Sequence, residues 1–294
     1  MKECYLYQKL TGGQVQCQTC HHRCKIAKGK YGICGVRENQ NSKLYLLVWG
    51  KAIAANVDPI EKKPFYHFLP GSKSFSVATV GCNFRCSWCQ NWQISQASKD
   101  PNIGHKLEII GEDLSPAEIV SQAQKTGCQS ISYTYTEPTI FLEYALDAMK
   151  LAYKNGLKNC WVSNGYFSRQ TLELIAPYLD AINIDLKGFN EKNYLKYCGA
   201  KLEPILENIK RVHDKKIHLE ITTLIIPGIN DSNKELKQIA EFITSVDKKI
   251  PWHISRFFPA FKMADAETTP VPTLKKAYNI GKQAGLKYVY LGNI

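Results

Sequence analysis

The chain has 294 residues, of which 44% are hydrophobic and 22% charged, and its net charge is +12. That composition excludes a disordered or fibrous chain, and the length allows a large core that needs no crosslinks. No run of ~18 apolar residues spans a bilayer, and no apolar stretch follows Met1 to act as a signal peptide. The expected compartment is the cytoplasm, where thiols stay reduced, so the 11 cysteines point to metal or redox chemistry rather than disulfides.

Residues 1–70 are rich in Cys, Gly and Lys and carry 11 Lys and Arg against 4 Asp and Glu. Such a basic surface attracts an acidic protein, a nucleic acid or an anionic cofactor, although a solvated lysine-rich face is the plainer reading. The run Cys17-x2-Cys20-x3-Cys24-x9-Cys34 ends in Gly32-Ile33-Cys34-Gly35. Four cysteines at short spacings around a glycine turn read as a second metal site, holding either zinc or an iron–sulfur cluster. A segment this small has little core of its own, so a bound metal would supply folding energy. We take residues 1–70 as a Cys-rich N-terminal module and 71–294 as an α/β domain. Cys4, Cys128, Cys160 and Cys198 stand alone, and the last three read as core residues.

From residue 74 onward, short β-branched runs alternate with helix-period segments. Strands are predicted at 75–80, 130–135, 159–163, 181–186, 217–225 and 252–257, with a further one at 288–291. Helices are predicted at 116–125, 140–155, 168–178, 202–214, 232–244 and 273–284. This alternation implies parallel strands with right-handed crossovers, and six units give a partial (β/α)6 TIM-type barrel. Chemistry in such folds collects where strands end.

The first strand runs directly into Cys82-Asn83-Phe84-Arg85-Cys86-Ser87-Trp88-Cys89. Three thiolates within eight residues can turn inward onto one iron–sulfur cluster. A cubane usually takes four cysteines, so three leave one iron open for chemistry. Zinc would want a fourth ligand close by, and none follows.

The C-x3-C-x2-C loop after the first strand, with Trp88 before its last cysteine, resembles the radical S-adenosylmethionine (SAM) superfamily. The resemblance implies a [4Fe-4S] cluster on Cys82, Cys86 and Cys89 that binds and reductively cleaves SAM, giving a 5′-deoxyadenosyl radical that abstracts hydrogen. It also assigns the later strand ends. Trp88 flanks the cluster. Glu137, in Tyr133-Thr134-Tyr135-Thr136-Glu137-Pro138, stands where relatives hold the SAM amino group, although the two glycines usual before it are missing. Ser163 and Asn164 suit ribose hydroxyls, with a helix cap as the other reading. Asp185 and Lys187 resemble the Asp-x-Lys of glycyl-radical activating enzymes, with a structural salt bridge as the alternative. Thr222 lies on the strand before Pro227-Gly228, which resembles the activases' loop. His253 is expected in the pocket, and with Lys187 it completes the catalytic candidates, though a core or surface histidine reads equally well.

Further motifs narrow the resemblance. Gly-Lys-Tyr-Gly-Ile-Cys-Gly-Val-Arg at 29–37, Asp58-Pro59-Ile60-Glu61-Lys62-Lys63-Pro64 and His67-Phe68-Leu69-Pro70-Gly71 look like the AmmeMemoRadiSam-system radical SAM enzymes, relatives of pyruvate formate-lyase activating enzyme. Members often carry a Cys-x2-Cys tail beyond the point where this sequence stops, Ile294. The resemblance implies an electron donor such as flavodoxin or ferredoxin, and a protein substrate (as in glycyl-radical activation) or a small one. It also implies Memo- or Ammecr-type partners. The competing class is a metal-stabilised nucleic-acid-binding protein using Tyr31 and Trp49 on the basic module. No ordered aromatic platform supports it.

Overall fold

The alternation of short apolar runs and helix-period segments becomes an eight-stranded sheet in the computed structural model, which describes residues 1–100 and 109–294. Its strands are β1 (Ala54–Pro59), β2 (Lys73–Ala78), β3 (Ser130–Tyr133), β4 (Lys158–Ser163), β5 (Ala181–Asp185), β6 (His218–Ile225), β7 (Trp252–Arg256) and β8 (Val289–Gly292). They lie in sequence order, β8-β7-β6-β5-β4-β3-β2-β1. Strands β2 to β8 are parallel, and β1 pairs antiparallel with β2. All of β3 and all but the first residue of β2 are buried, as expected where helices cover a parallel sheet.

Six helices supply the crossovers: α1 (Pro116–Lys125), α2 (Leu142–Lys154), α3 (Arg169–Ile175), α4 (Glu203–Asp214), α5 (Asn233–Asp247) and α6 (Val271–Gln283). Their starts follow capping chemistry. Ser115 accepts from the Glu118 amide while Glu118 reaches back to Ser115, a complete capping box. Ser168 and Ser232 cap α3 and α5 by accepting from the Thr171 and Glu235 amides. The helix predicted at 140–155 differs at its start. Pro138–Phe141 forms a 3-10 turn before α2 begins, because Glu137 caps that turn through the Thr139 amide.

The N-terminal residues fold into two small three-stranded sheets. They are fastened to the larger sheet by buried groups. Arg37 grips Glu143 on α2 through two hydrogen bonds of 3.2 and 2.6 Å, and its Nε donates to the Ile140 carbonyl. Breaking one side of such a buried pair costs about 3–5 kcal/mol. The Thr19 carbonyl accepts from Ser168 N and Thr171 Oγ1 at the start of α3. The expected boundary at residue 70 falls between β1 and β2, which pair along six residues, and one continuous core runs under both halves.

Candidate cofactor site

Strand β2 ends at Ala78, and the chain turns at Gly81 with φ +94°. A Cβ there would lie 2.8 Å from the Cys34 carbonyl, so only glycine lets the loop pass the N-terminal sheets. The loop is then braced on three sides. Arg85 N and Ser87 N donate to the carbonyls of Cys198 and Tyr197 at 2.9 and 3.0 Å. The half-buried Lys99 donates to the carbonyls of Cys82 and Phe84 at 2.7 and 2.5 Å. Trp88 is buried against Tyr197, with ring centroids 5.9 Å apart. A loop held this firmly sets its thiols before any cofactor arrives.

Cys82, Cys86 and Cys89 all line one cavity of about 310 Å³ at the C-terminal ends of the parallel strands. None is in a disulfide. Ser95 Oγ lies 3.2 Å from Cys89 Sγ, and Phe84 N donates to Cys82 Sγ at 3.3 Å. Burial raises the thiol pKa of Cys82 and Cys89. At Cys86 the hydrogen bond with Cys198 acts first, and burial adds to it. A metal reverses this, since coordination deprotonates a thiol. Among the described residues, no three His, Cys, Asp or Glu are arranged to hold a single metal ion. A four-iron cluster spreads its thiolates over a cube instead. Three convergent free thiols, backed by fixed amides and facing an open cavity, fit such a cluster.

The opposite walls bring together most of the residues the sequence singles out. Trp88, Asn164, Asp185, Lys187 and Thr222 all face this cavity. Lys187 Nζ donates to Asp185 Oδ2 at 2.8 Å. Burial works against the lysine's charge, but Asp185 and Cys86 outweigh it and hold the pKa well above the lysine range. Thr222 Oγ1 donates to Asn183, and Asn164 Nδ2 donates to Asn83 Oδ1 at 2.7 Å.

Three expected site residues do not face it. Glu137 is completely buried and spends its carboxylate on four donors: Thr139 N, Thr139 Oγ1, Ser163 Oγ and Asn164 N. Burial pushes its pKa up, with these hydrogen bonds opposing. Ser163 is absorbed in the same network. These two therefore position Asn164 rather than line the cavity. His253 points elsewhere. Its Nε2 lies 2.6 Å from Glu220 Oε2, in a cluster that also takes His218 Nε2 and the amides of Tyr66 and His67. Four donors hold the Glu220 pKa down near 2, against the upward push of burial.

The sequence reading missed other walls. Lys62, Lys63, Tyr135, Leu224 and Ser255 line the cavity. Lys63 Nζ lies 2.7 Å from Asp58 and donates to Tyr135 Oη at 2.9 Å. The Asp-Pro-Ile-Glu-Lys-Lys run was visible, but its approach to the strand ends depends on β1 joining the sheet. Cys198, read as a core residue, is buried yet touches Cys86.

Cys17, Cys20, Cys24 and Cys34 line a second, much smaller cavity of about 20 Å³. Asn83, Thr139 and Arg37 complete its wall. The four predicted partners are thus gathered on one space.

A parallel α/β sheet whose first strand end carries three convergent thiols defines a cofactor-dependent α/β protein of the iron–sulfur kind. The radical SAM superfamily model matches residues 76–243, and the chain belongs to that superfamily. A radical SAM chain carries a [4Fe-4S] cluster and SAM. The chain is 42% identical to an uncharacterised Methanocaldococcus jannaschii protein over its whole length, covering 86% of that protein. It is 26% identical to the pyruvate formate-lyase-activating enzyme of Staphylococcus epidermidis, over 63% of this chain and 76% of that one. A radical SAM methyltransferase from Sphaerobacter thermophilus shares the fold, with a TM-score of 0.58 and 15% identity over 76% of this chain and 67% of that one. No helix among the described residues is long and apolar enough to cross a membrane.

Proposed function

We propose that the protein reductively cleaves SAM at a [4Fe-4S] cluster held by Cys82, Cys86 and Cys89, and that the 5′-deoxyadenosyl radical so supplied abstracts hydrogen from a substrate. The observation that carries this reading is the convergence of those three thiols with Asn164, Asp185, Lys187 and Thr222 on one cavity. We read the open sheet as a partial barrel, because side chains from β4 to β7 wall that single space.

The chain's own groups divide the work. Three thiolates leave one iron without a protein ligand. Lys187 offers a charge-assisted donor to the SAM carboxylate, with Asp185 keeping it charged and aimed. Asn164 and Thr222 offer polar contacts to ribose hydroxyls, and the buried Glu137 and Ser163 fix Asn164. Trp88 keeps water from the cluster side.

The substrate reading is a protein glycine, on the similarity to the activating enzyme, within an AmmeMemoRadiSam-type system with Memo- or Ammecr-type partners. Radical SAM enzymes generally draw electrons from flavodoxin or ferredoxin, and a cytoplasmic location suits such donors. The test is to purify the chain anaerobically, reconstitute it with iron and sulfide, and add dithionite and SAM. Formation of 5′-deoxyadenosine is expected. An intact cluster absorbance with no product overturns the proposal.

A further inference from the structure

The two cysteine cavities are walled by adjacent, hydrogen-bonded residues. Asn83 follows Cys82 directly, yet its side chain lines the cavity of Cys17, Cys20, Cys24 and Cys34. Its Nδ2 is buried without a partner, while its Oδ1 accepts from Asn164, which faces the larger cavity. Thr139, on the small cavity, bonds Glu137, which bonds Asn164. From the other side the Cys34 carbonyl presses on Gly81 and accepts from Ser98 Oγ. His22, inside the cysteine run, reaches the Asn83 carbonyl at 2.9 Å. The hydrogen-bonded pair Asn83 and Asn164 therefore bridges the two thiol sets, with Cys82 on the larger cavity and the adjacent Asn83 on the smaller.

A structural zinc has no need of such a wall. It needs only four sulfurs drawn onto one atom at about 2.3 Å. An electron carrier would use such a wall, because the radical-site cluster must be reduced by one electron for each cleavage.

We propose that Cys17, Cys20, Cys24 and Cys34 hold a second iron–sulfur cluster, which receives one electron from a low-potential one-electron donor protein and passes it across Asn83 to the site of Cys82. The donor is oxidised by one electron, one ferric iron of the second cluster becomes ferrous, and the same electron then leaves it reoxidised. No bond to carbon and no proton moves in this step. The inference rests on the proposed function only for the existence of the receiving cluster.

The full chain is reconstituted anaerobically with iron and sulfide. About eight irons per chain are expected, and about four each in Cys82→Ser/Cys86→Ser/Cys89→Ser and in Cys20→Ser/Cys24→Ser. The first variant leaves the N-terminal site untouched, so its reduced form should still give an iron–sulfur electron paramagnetic resonance signal. That arm does not depend on whether Cys20→Ser/Cys24→Ser folds. One zinc per chain in Cys82→Ser/Cys86→Ser/Cys89→Ser, or no metal, overturns the second cluster. The relay is read as the rate at which the radical-site signal is reduced. In Cys20→Ser/Cys24→Ser, reduction by reduced flavodoxin should fall at least about tenfold, while reduction by dithionite stays within about twofold. Equal rates with both reductants, or equal losses, overturn the relay. Two reducible clusters with no 5′-deoxyadenosine would instead sink the proposed function alone.

Discussion

Strands β6 and β7 each place two polar residues on one inner face, two positions apart, and the pairs meet opposite fates. Thr222 and Ser255 line the cavity, beside thiols and lysines with donors to spare. Glu220 and His253, nearer the strands' starts, are sealed together, and every carboxylate lone pair of Glu220 is matched to a donor. Burial alone therefore does not mark a functional group. What separates the two regions is whether the polar set is closed on itself or left open toward a space a ligand can fill.

The sharpest way to break that contrast is at the open end. Cys86→Ala should abolish assembly of the cluster on Cys82, Cys86 and Cys89 and SAM cleavage together, read as a fall in iron from about eight to about four per chain and as loss of 5′-deoxyadenosine, while the fold persists by circular dichroism. A variant that keeps its full iron content would remove Cys86 from the site.

The closed end should answer only in stability. Glu220 has its pKa held near 2 rather than 4.5. A depressed carboxylate stabilises the fold fully above its ordinary pKa, and the gain is lost as pH falls from about 4.5 to about 2. That shift corresponds to about 3 kcal/mol at neutral pH. Glu220→Gln turns an amide toward two of the four donors. Urea unfolding should therefore show a loss of about 3 kcal/mol at pH 7, shrinking toward acid pH. His253→Ala should destabilise in the same direction and leave turnover per folded molecule unchanged. A loss of turnover at unchanged stability would return His253 to the catalytic set.

Lys187→Ala tests a residue on the open side with partners on both. Losing a charge-assisted hydrogen bond to a ligand costs about 1.5–3 kcal/mol, on the order of tenfold to a hundredfold in SAM affinity. Iron content should not change. If SAM binding, followed by equilibrium dialysis, is unaffected, Lys187 and Asp185 form a structural salt bridge, the alternative reading of their sequence.

Much of this was legible from residue order. Periodicity and caps placed all seven parallel strands and six helices, because each element is locally consistent: Ser115 with Glu118, or Ser168 before α3. The three-cysteine loop was legible because its ligands are local in sequence. The failures are all long-range. Nothing in Thr136-Glu137-Pro138 tells that Ser163 and Asn164 will consume the carboxylate, 26 and 27 positions away. His253 and Glu220 are 33 residues apart, and only register across β6 and β7 joins them. The approach of Lys63 to Tyr135 spans 72 positions and needs β1 on the sheet edge.

That last pair of elements carries the finest test. Lys62 and Lys63 share one carboxylate, Asp58, which they and Tyr135 hold well below the usual range despite the opposing effect of burial. Their surroundings differ completely: the Lys62 side chain is 65% exposed and that of Lys63 is 2% exposed. An exposed ion pair contributes about 0–1 kcal/mol, because water and salt screen it. Removing the buried partner leaves Asp58 short of its nearest cation inside protein, at a cost of about 3 kcal/mol. Lys62→Ala should thus shift stability by less than about 0.5 kcal/mol, an effect that vanishes in high salt. Lys63→Ala should lower it several-fold more, with no salt dependence. Equal effects would mean that water reaches Asp58 as freely as it reaches Lys62.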